Sequence, residues 1–228
     1  MIHTILFDLD DTLLDFRAAE RAALSQTLLH LGIEPTEEIL TLYSRLNAEQ
    51  WKLLEQCRIT IDEVRVRRYR LLFDALGIDH SPEDATDHYE ALLATRGDLM
   101  DGAEELLRTL IPRYRLYIAS NGYRETQWAR IHQAGIASYF QGVFLSQEIG
   151  AEKPSPAFFD HCFAHIPQFQ KESTVMVGDS LSSDIKGGHD AGLRTIWLNR
   201  KGLPIPGNPA PDHQIFSLSQ LPGLLASL

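Results

Sequence analysis

The first apolar run of the chain ends in three carboxylates, in the segment Ile5-Leu6-Phe7-Asp8-Leu9-Asp10-Asp11. Side chains alternate between two faces along extended backbone, so Asp8 and Asp10 share one face while Leu9 points into the core. Like charges side by side at the end of a buried strand repel each other unless a metal ion or a reaction makes use of them. The pair therefore predicts a catalytic or metal-binding site, and the alternative is a solvated acidic turn. Asp11 lies on the opposite face in this interpretation and receives no role.

Small polar residues follow three later apolar runs as well. They are Ser120-Asn121-Gly122 after residues 116–119, Lys153 after residues 143–145, and Asp179 with Asp184 after residues 175–177. The carboxyl ends of parallel strands lie at one edge of a sheet, and the ligands of open α/β folds bind there. We therefore expect these residues to meet Asp8 and Asp10 around one crevice.

The carboxylates in this group indicate a hard divalent cation. Mg²⁺ binds one or two carboxylates and fills its remaining positions with water and substrate phosphate. Asp8 and Asp179 are the predicted direct ligands, and Asp184 supports the ion through a water molecule or by orienting its neighbours. Histidine and cysteine, the usual ligands of zinc, are missing from these stretches.

The other polar groups suit a phosphate. Lys153 supplies a cation where negative charge needs neutralising. The Ser120 hydroxyl and the backbone amides of Asn121 and Gly122 precede a predicted helix and form an anion cradle, because N–H groups and the positive end of a helix attract phosphate. The alternatives are a solvated loop lysine and an ordinary turn with a helix cap.

Short apolar runs alternate with helical periodicity after residue 102. Strands are predicted at residues 116–119, 143–145, 174–177, 195–198 and 214–216, and helices up to residue 110 and at residues 125–134, 155–165 and 184–191. This order predicts the α/β class, with a doubly wound parallel sheet. The strands read as continuous apolar runs because helices cover both faces of such a sheet.

Residues 16–94 have a different pattern, with apolar side chains recurring every three or four positions, and predict about four helices. Gly32 and Gly77 mark helix ends, while Thr36 and Ser81 mark helix starts. The predicted organisation is an α/β core of residues 1–15 and 95–228, with a helical cap of residues 16–94 inserted after the first strand. An insert that leaves at this edge of the sheet would cover the site like a lid.

The composition limits the kinds of partner that the chain is expected to bind. The chain has 228 residues, a formal charge of -10 and only 21 basic residues, which argues against a nucleic acid polymer or an anionic membrane. A small anionic substrate remains compatible with this charge, because a divalent cation dominates its local field. The start of the chain has no pattern of a targeting segment, so we expect a cytoplasmic protein. Cys57 and Cys162 are expected to be reduced, packed side chains.

In order along the chain, these motifs resemble those of the haloacid dehalogenase superfamily of aspartyl-nucleophile phosphotransferases, over almost the whole length. The matching residues are Asp8, Asp10, Thr12, Ser120, Lys153, Asp179 and Asp184. The resemblance implies a Rossmann-like core and Mg²⁺ as cofactor, with Mn²⁺ as a substitute. It implies that Asp8 forms an aspartyl-phosphate, while Asp10 protonates the leaving oxygen, later activates water and contacts the metal ion through its backbone carbonyl. Ser120, Asn121, Gly122 and Lys153 would bind the substrate phosphate.

Within the superfamily, an acid at position 10 favours a phosphatase, because the dehalogenase branch lacks it. Segments 101–107, 120–122 and 152–156 look like the pyrimidine 5'-nucleotidases that act on UMP, dUMP, TMP and noncanonical relatives. A phosphatase for a sugar phosphate or phosphoglycolate is the alternative, and an inactive phosphate-binding regulatory protein is a third. The expected partner is a small phosphate ester, and the chain acts as a monomer or a homodimer. Six aromatic residues of the insert either stack on a base or fill the cap interior: Phe16, Tyr43, Trp51, Tyr69, Phe73 and Tyr89.

Overall fold

Six parallel strands form one sheet in the computed structural model of the chain, which describes residues 1–205, 207 and 209–228. The strands are β1 Thr4–Phe7, β2 Arg115–Ser120, β3 Gly142–Leu145, β4 Thr174–Gly178, β5 Arg194–Leu198 and β6 His213–Ile215. Their order across the sheet is β3-β2-β1-β4-β5-β6. The predicted α/β class with a parallel sheet is confirmed.

Ten α-helices accompany the strands in the described part of the chain. They are α1 Phe16–His30, α2 Glu37–Glu55, α3 Ile61–Leu76, α4 Pro82–Ala94, α5 Ala103–Leu110, α6 Arg124–Gln133, α7 Ser146–Ile149, α8 Pro156–His165, α9 Lys186–Asp190 and α10 Leu221–Ala226. None of these described helices combines the length and the apolar character that crossing a membrane requires.

The central strands are in a register that aligns their carboxyl ends. Phe7, the last residue of β1, pairs with Ile118 on one side and with Val177 on the other. The central strands are almost completely buried, as expected for a parallel sheet covered on both faces. The residues that follow β1, β2 and β4 therefore emerge beside one another at the same edge.

By internal contacts the chain groups into two units. One unit comprises Met1–Asp15, Asp98–Arg124 and Ala134–Leu228, and the other comprises Phe16–Gly97 and Glu125–Gln133. Helix α6 thus groups with helices α1–α4, although its place between two strands predicts a helix of the sheet unit. That the two units act as a catalytic core and a cap stays a prediction.

The starts and ends of the inserted helices follow local signals. The Thr36 hydroxyl accepts a hydrogen bond from the Ile39 amide at 3.5 Å and caps α2. The Ser81 hydroxyl accepts one from the Asp84 amide at 3.0 Å and caps α4. Gly77 ends α3 with a φ of 65°, a left-handed conformation that glycine adopts without strain. These predicted boundaries are confirmed.

The aromatic side chains of the helical unit mostly fill its interior. Tyr43, Tyr69, Phe73 and Tyr89 are buried, and their ring centroids lie 5.2 to 6.0 Å apart in tilted or edge-on pairs. Phe16 packs partly buried against the same cluster, and Trp51 is half-buried. For the four buried rings, the packing interpretation is confirmed.

Two local predictions are wrong. Residues 184–191 do not form one α-helix, because Leu181–Ile185 is a wide π-helical turn that precedes α9. The Ser180 carbonyl accepts hydrogen bonds from the amides of both Asp184 and Ile185, at 3.1 Å each, which widens the turn. Both cysteines are free, but only Cys162 is packed; Cys57 is exposed, in the turn that follows α2.

Candidate active site

Asp8 is the first residue after β1, and both of its carboxylate oxygens are bound by side chains. Its amide donates to the Val177 carbonyl at 2.9 Å, which continues the parallel register one residue beyond the strand. Oδ2 accepts from the Thr12 hydroxyl at 2.9 Å, and Oδ1 accepts from Lys153 Nζ at 2.8 Å. Only 8 % of Asp8 is exposed. The carboxylate is therefore held in one orientation, with little contact to water.

A tight turn brings Thr12 back onto Asp8. The Asp11 amide donates to the Leu14 carbonyl at 2.8 Å, and the Leu14 amide donates to the Leu9 carbonyl at 2.9 Å. Asp11 has a φ of 57°, in the left-handed region that aspartate tolerates better than most side chains. Asp10 lies half-buried in this turn, and Leu9 is fully buried. The turn places the carboxylate of Asp10 near enough to Asp8 to influence its pKa.

Lys153 joins the ends of three strands. Its ammonium donates to Asp8 Oδ1 at 2.8 Å, to Asp184 Oδ1 at 2.7 Å and to the Ala119 carbonyl at 2.6 Å. Three acceptors match the three protons of an ammonium group. Burial alone would lower the pKa of Lys153, but Asp184 and Asp8 raise it above its usual value. Lys153, only 1 % exposed, is a fixed cation and not a solvated loop lysine.

Asp184 is fully buried and orients its neighbours. Oδ1 accepts from Lys153, and Oδ2 accepts from the Ser180 amide at 3.0 Å. A side chain at Gly178 would collide with this carboxylate, because a Cβ atom there would lie 2.2 Å from Asp184 Oδ2. The Asp184 carboxylate therefore packs directly against the end of β4, and only glycine at position 178 leaves space for it.

Asp179 completes a cluster of three carboxylates. Oxygen atoms of Asp8, Asp179 and Asp184 lie within 4.8 Å of one another. The Trp197 indole donates to the Asp179 carbonyl at 2.9 Å, across the β4–β5 pair, and fixes the backbone of Asp179. The sequence does not predict the contact between Trp197 and Asp179, because the pattern around Trp197 indicates only an apolar residue in a strand.

The charges of the cluster are incompletely balanced. Burial first, then Asp184, raises the pKa of Asp8 to about 7, although Lys153 opposes this shift. Burial, with Asp8 and Asp184, raises the pKa of Asp179 well above its usual range. Three carboxylates against the ammonium of Lys153 leave an excess of negative charge in a site of low exposure. Such a set of oxygen donors fits a hard divalent cation, whose charge would restore the balance.

The predicted phosphate cradle follows β2. Ser120 is buried, and its hydroxyl accepts from the Gly122 amide at 3.1 Å. The Asn121 side chain bridges to the backbone of Lys153: Nδ2 donates to the carbonyl and Oδ1 accepts from the amide, at 2.8 Å each. Binding of phosphate by Asn121 would therefore fall to its backbone amide. The two hydrogen bonds of its side chain tie the loop after β2 to the loop that carries Lys153.

Sequence reasoning also missed Arg200, which follows β5. Its guanidinium donates to the Asp11 carbonyl at 2.9 Å and lies 3.7 Å from Asp11 Oδ1. Alternation of side chains along a strand predicts no role for Asp11, but β1 ends at Phe7 and the turn no longer follows that alternation. A basic residue after a strand is too common a pattern to predict this contact.

The sequence and the fold both match known proteins. A family model of haloacid dehalogenase-like hydrolases matches residues 2–192. The chain belongs to this family. The superfamily resemblance drawn from the motifs is thereby confirmed.

Three relatives show the range of this hydrolase family around the chain. The crystal structure of the HAD-hydrolase YfnB from Bacillus subtilis, bound to magnesium, is 36 % identical, covers 98 % of each chain and superposes with a TM-score of 0.94. The pyrimidine 5'-nucleotidase PynA from Streptococcus pneumoniae is 38 % identical over 95 % of this chain and 92 % of its own. The N-acylneuraminate-9-phosphatase from Mus musculus is 31 % identical over 100 % of this chain and 95 % of its own.

Proposed function

We propose that this hydrolase is a Mg²⁺-dependent phosphatase that cleaves phosphate monoesters through an aspartyl-phosphate on Asp8. The observation that carries the proposal is the double restraint of the Asp8 carboxylate by Lys153 and Thr12, next to the carboxylates of Asp179 and Asp184. A buried, oriented carboxylate beside a fixed cation is suited to nucleophilic attack on an anionic group.

Asp8 would attack the phosphorus atom with one carboxylate oxygen. The bond from phosphorus to the ester oxygen breaks as the new bond forms, and Asp10 gives its proton to the departing alcohol. A water molecule then attacks the phosphorus of the aspartyl-phosphate, Asp10 takes the proton back, and inorganic phosphate leaves Asp8 unchanged. Each proton that Asp10 donates in the first step is recovered in the second.

Asp8, Asp179 and the backbone carbonyl of Asp10 would hold Mg²⁺, and Asp184, the most deeply buried carboxylate of the three, would act indirectly by orienting Lys153 and the turn after β4. When bound, the ion would neutralise charge on the phosphoryl group and on the carboxylates around it. The chain's own contribution is the Ser120 hydroxyl and the backbone amide of Asn121, which would bind the phosphoryl oxygens, and the charge of Lys153, which would offset theirs. The Gly122 amide, which donates to the Ser120 hydroxyl, would orient it.

Pyrimidine nucleoside 5'-monophosphates are the substrates we propose, with UMP, dUMP, TMP and their noncanonical analogues as the candidates. The similarity to PynA over almost the full length supports this choice. A sugar phosphate is the second candidate, because the similarity to N-acylneuraminate-9-phosphatase also spans the whole chain. Phosphoglycolate is a further alternative substrate and is tested beside the sugar phosphate.

The test is a panel of kcat/KM values on purified protein. UMP, dUMP and TMP are compared with N-acylneuraminate 9-phosphate and phosphoglycolate, with Mg²⁺ and with EDTA. We expect the pyrimidine nucleotides to rank first and phosphate release to require Mg²⁺. A higher kcat/KM on the sugar phosphate would replace the proposed substrate and leave the proposed chemistry intact.

Two carboxylate variants separate an active enzyme from a phosphate-binding protein without activity. Asp8→Asn and Asp10→Asn should each abolish release of phosphate, whereas Asp160→Asn, a neutralised carboxylate on the exposed face of α8, should retain it. If the wild-type protein releases no phosphate from any member of the panel, the proposed function is wrong.

A further inference from the structure

We propose that Arg200 is a positioning residue that holds the turn carrying Asp10 in its working conformation. The proposal rests on the proposed phosphatase function. Arg200 lies after β5, two strands away from β1 in the sheet, and no motif of the sequence points to it. Its guanidinium nevertheless reaches the turn between Asp8 and Thr12.

The contact is made to the backbone of the turn and not only to a side chain. One guanidinium nitrogen donates to the Asp11 carbonyl at 2.9 Å. The other terminal nitrogen lies 3.4 Å from the sulfur of Met100, whose amide donates to the Leu13 carbonyl at 2.9 Å. Arg200 thus contacts the turn at two points that follow Asp10, directly at Asp11 and through Met100 at Leu13. About one third of its side chain is exposed, so it is not a core residue.

The turn needs such a restraint because of the conformation of Asp11. A φ of 57° is unfavourable for a side chain with a Cβ atom, by about 1 kcal/mol. The Asp11 amide is fixed from inside by the Leu14 carbonyl, and the Asp11 carbonyl is fixed from outside by Arg200. The Asp11 amide shares a peptide plane with the carbonyl of Asp10. Restraining both sides of Asp11 therefore restrains the residue before it.

The consequence concerns proton transfer to the leaving group. If Arg200 is lost, the turn relaxes and Asp10 no longer meets the leaving oxygen in a fixed position, whereas Asp8 keeps its hydrogen bond to Lys153, which lies outside the turn. Substrates that need a proton on the leaving oxygen should suffer most. Substrates whose leaving group departs as a stable anion should suffer least.

The experiment compares Arg200→Met on two substrates in the presence of Mg²⁺. UMP leaves an alkoxide that requires protonation, and p-nitrophenyl phosphate leaves a stabilised phenolate that does not. The quantity measured is kcat/KM, which covers the steps up to departure of the leaving group. We expect kcat/KM to fall about tenfold more on UMP than on p-nitrophenyl phosphate, the size expected for one lost charge-assisted hydrogen bond.

Arg115→Met is the matched control. Arg115 also donates to a backbone carbonyl, that of Pro167, and to the Thr4 hydroxyl, but it lies at the opposite edge of the sheet, at the start of β2. Its replacement should not change the ratio of the two kcat/KM values. Thermal unfolding of both variants reports any loss of stability. If Arg200→Met unfolds below the assay temperature, the ratio of the two kcat/KM values is measured in Arg200→Gln, whose side chain is uncharged and shorter.

The outcomes separate this proposal from the function on which it rests. A ratio that shifts in the Arg200 variant and stays constant in Arg115→Met supports the positioning role. An equal fall on both substrates, no fall at all, or the same shift in the control overturns it. A wild-type protein that hydrolyses neither substrate overturns the proposed function instead.

Discussion

Gly178 offers a sharp test of how the site is built. A methyl group at this position would place a carbon 2.2 Å from Oδ2, 2.4 Å from Cγ and 2.7 Å from Cβ of Asp184. Rotation of the carboxylate does not relieve the overlap, because the Cβ atom of Asp184 is itself too close. In Gly178→Ala the whole Asp184 side chain must therefore move, together with the turn that carries it.

The expected loss of stability follows from the hydrogen bonds that this movement breaks. Asp184 accepts from Lys153 at 2.7 Å and from the Ser180 amide at 3.0 Å, in a fully buried position. Charge-assisted hydrogen bonds of this kind contribute about 1.5 to 3 kcal/mol each. Overpacking adds about 1 to 3 kcal/mol. With partial relaxation, we expect the free energy of unfolding to fall by about 3 to 5 kcal/mol.

Activity should fall with stability in Gly178→Ala, because Lys153 loses one of its two carboxylate partners and no longer fixes Asp8. We expect kcat on UMP to drop about a hundredfold, measured well below the unfolding temperature of the variant. Gly223→Ala is the control, since a Cβ atom there meets nothing within 4 Å. It should shift the free energy of unfolding by less than about 1 kcal/mol. If urea denaturation and turnover of Gly178→Ala match those of the wild type, the inferred role of Asp184 is wrong.

Three further predictions concern neighbouring contacts. Asn121→Ala removes two hydrogen bonds to the backbone of Lys153. We expect the free energy of unfolding in urea to fall by about 2 kcal/mol and kcat/KM to fall about tenfold. A wild-type kcat/KM would argue against the connection between the two loops. Trp197→Phe removes the donor to the Asp179 carbonyl, and titration of activity with Mg²⁺ should show at least about a tenfold weaker affinity for the ion; an unchanged Mg²⁺ dependence would contradict this. In the absence of metal, the pKa of Asp8 is raised from 3.8 to about 7, mainly by burial. The folded state therefore binds a proton on Asp8 more tightly than the unfolded state does. In EDTA, the free energy of unfolding of the wild-type protein, relative to that of Asp8→Asn, should therefore fall by on the order of 4 kcal/mol as the pH rises from about 4 to 7. Urea denaturation across that range checks the sign, and a free energy that rises with pH would refute it.

Much of the sheet can be predicted from the sequence because its signals are local. Each central strand is a short apolar run, and the topology of a parallel sheet brings the ends of such runs together. This reasoning places Asp8, Lys153 and Asp184 near one another without any knowledge of their contacts. The helix boundaries at Thr36 and Gly77 are equally local, since a cap and a left-handed glycine act within one turn.

The remaining features depend on contacts between distant parts of the chain. Lys153 reads as a loop residue, and only the folded structure places its ammonium between two buried carboxylates. The side chain of Asn121 is committed to the backbone of Lys153, 32 residues away, which spacing does not reveal. Helix α6 groups with α1–α4 through tertiary contacts that its own sequence does not encode. Strand alternation fails at Asp11 because the chain has already left the sheet.

The central claim is that Asp8 is the nucleophile, and trapping of the phosphorylated enzyme tests it most directly. Wild-type protein is mixed with UMP and Mg²⁺, quenched in acid within one turnover, digested and analysed by mass spectrometry. We predict a phosphorylated peptide with the modification on Asp8, accumulating further in Asp10→Asn when p-nitrophenyl phosphate supplies the phosphoryl group, because that variant cannot activate water. Rapid turnover without a phosphorylated peptide, or a phosphoryl group on any residue other than Asp8, would contradict the account.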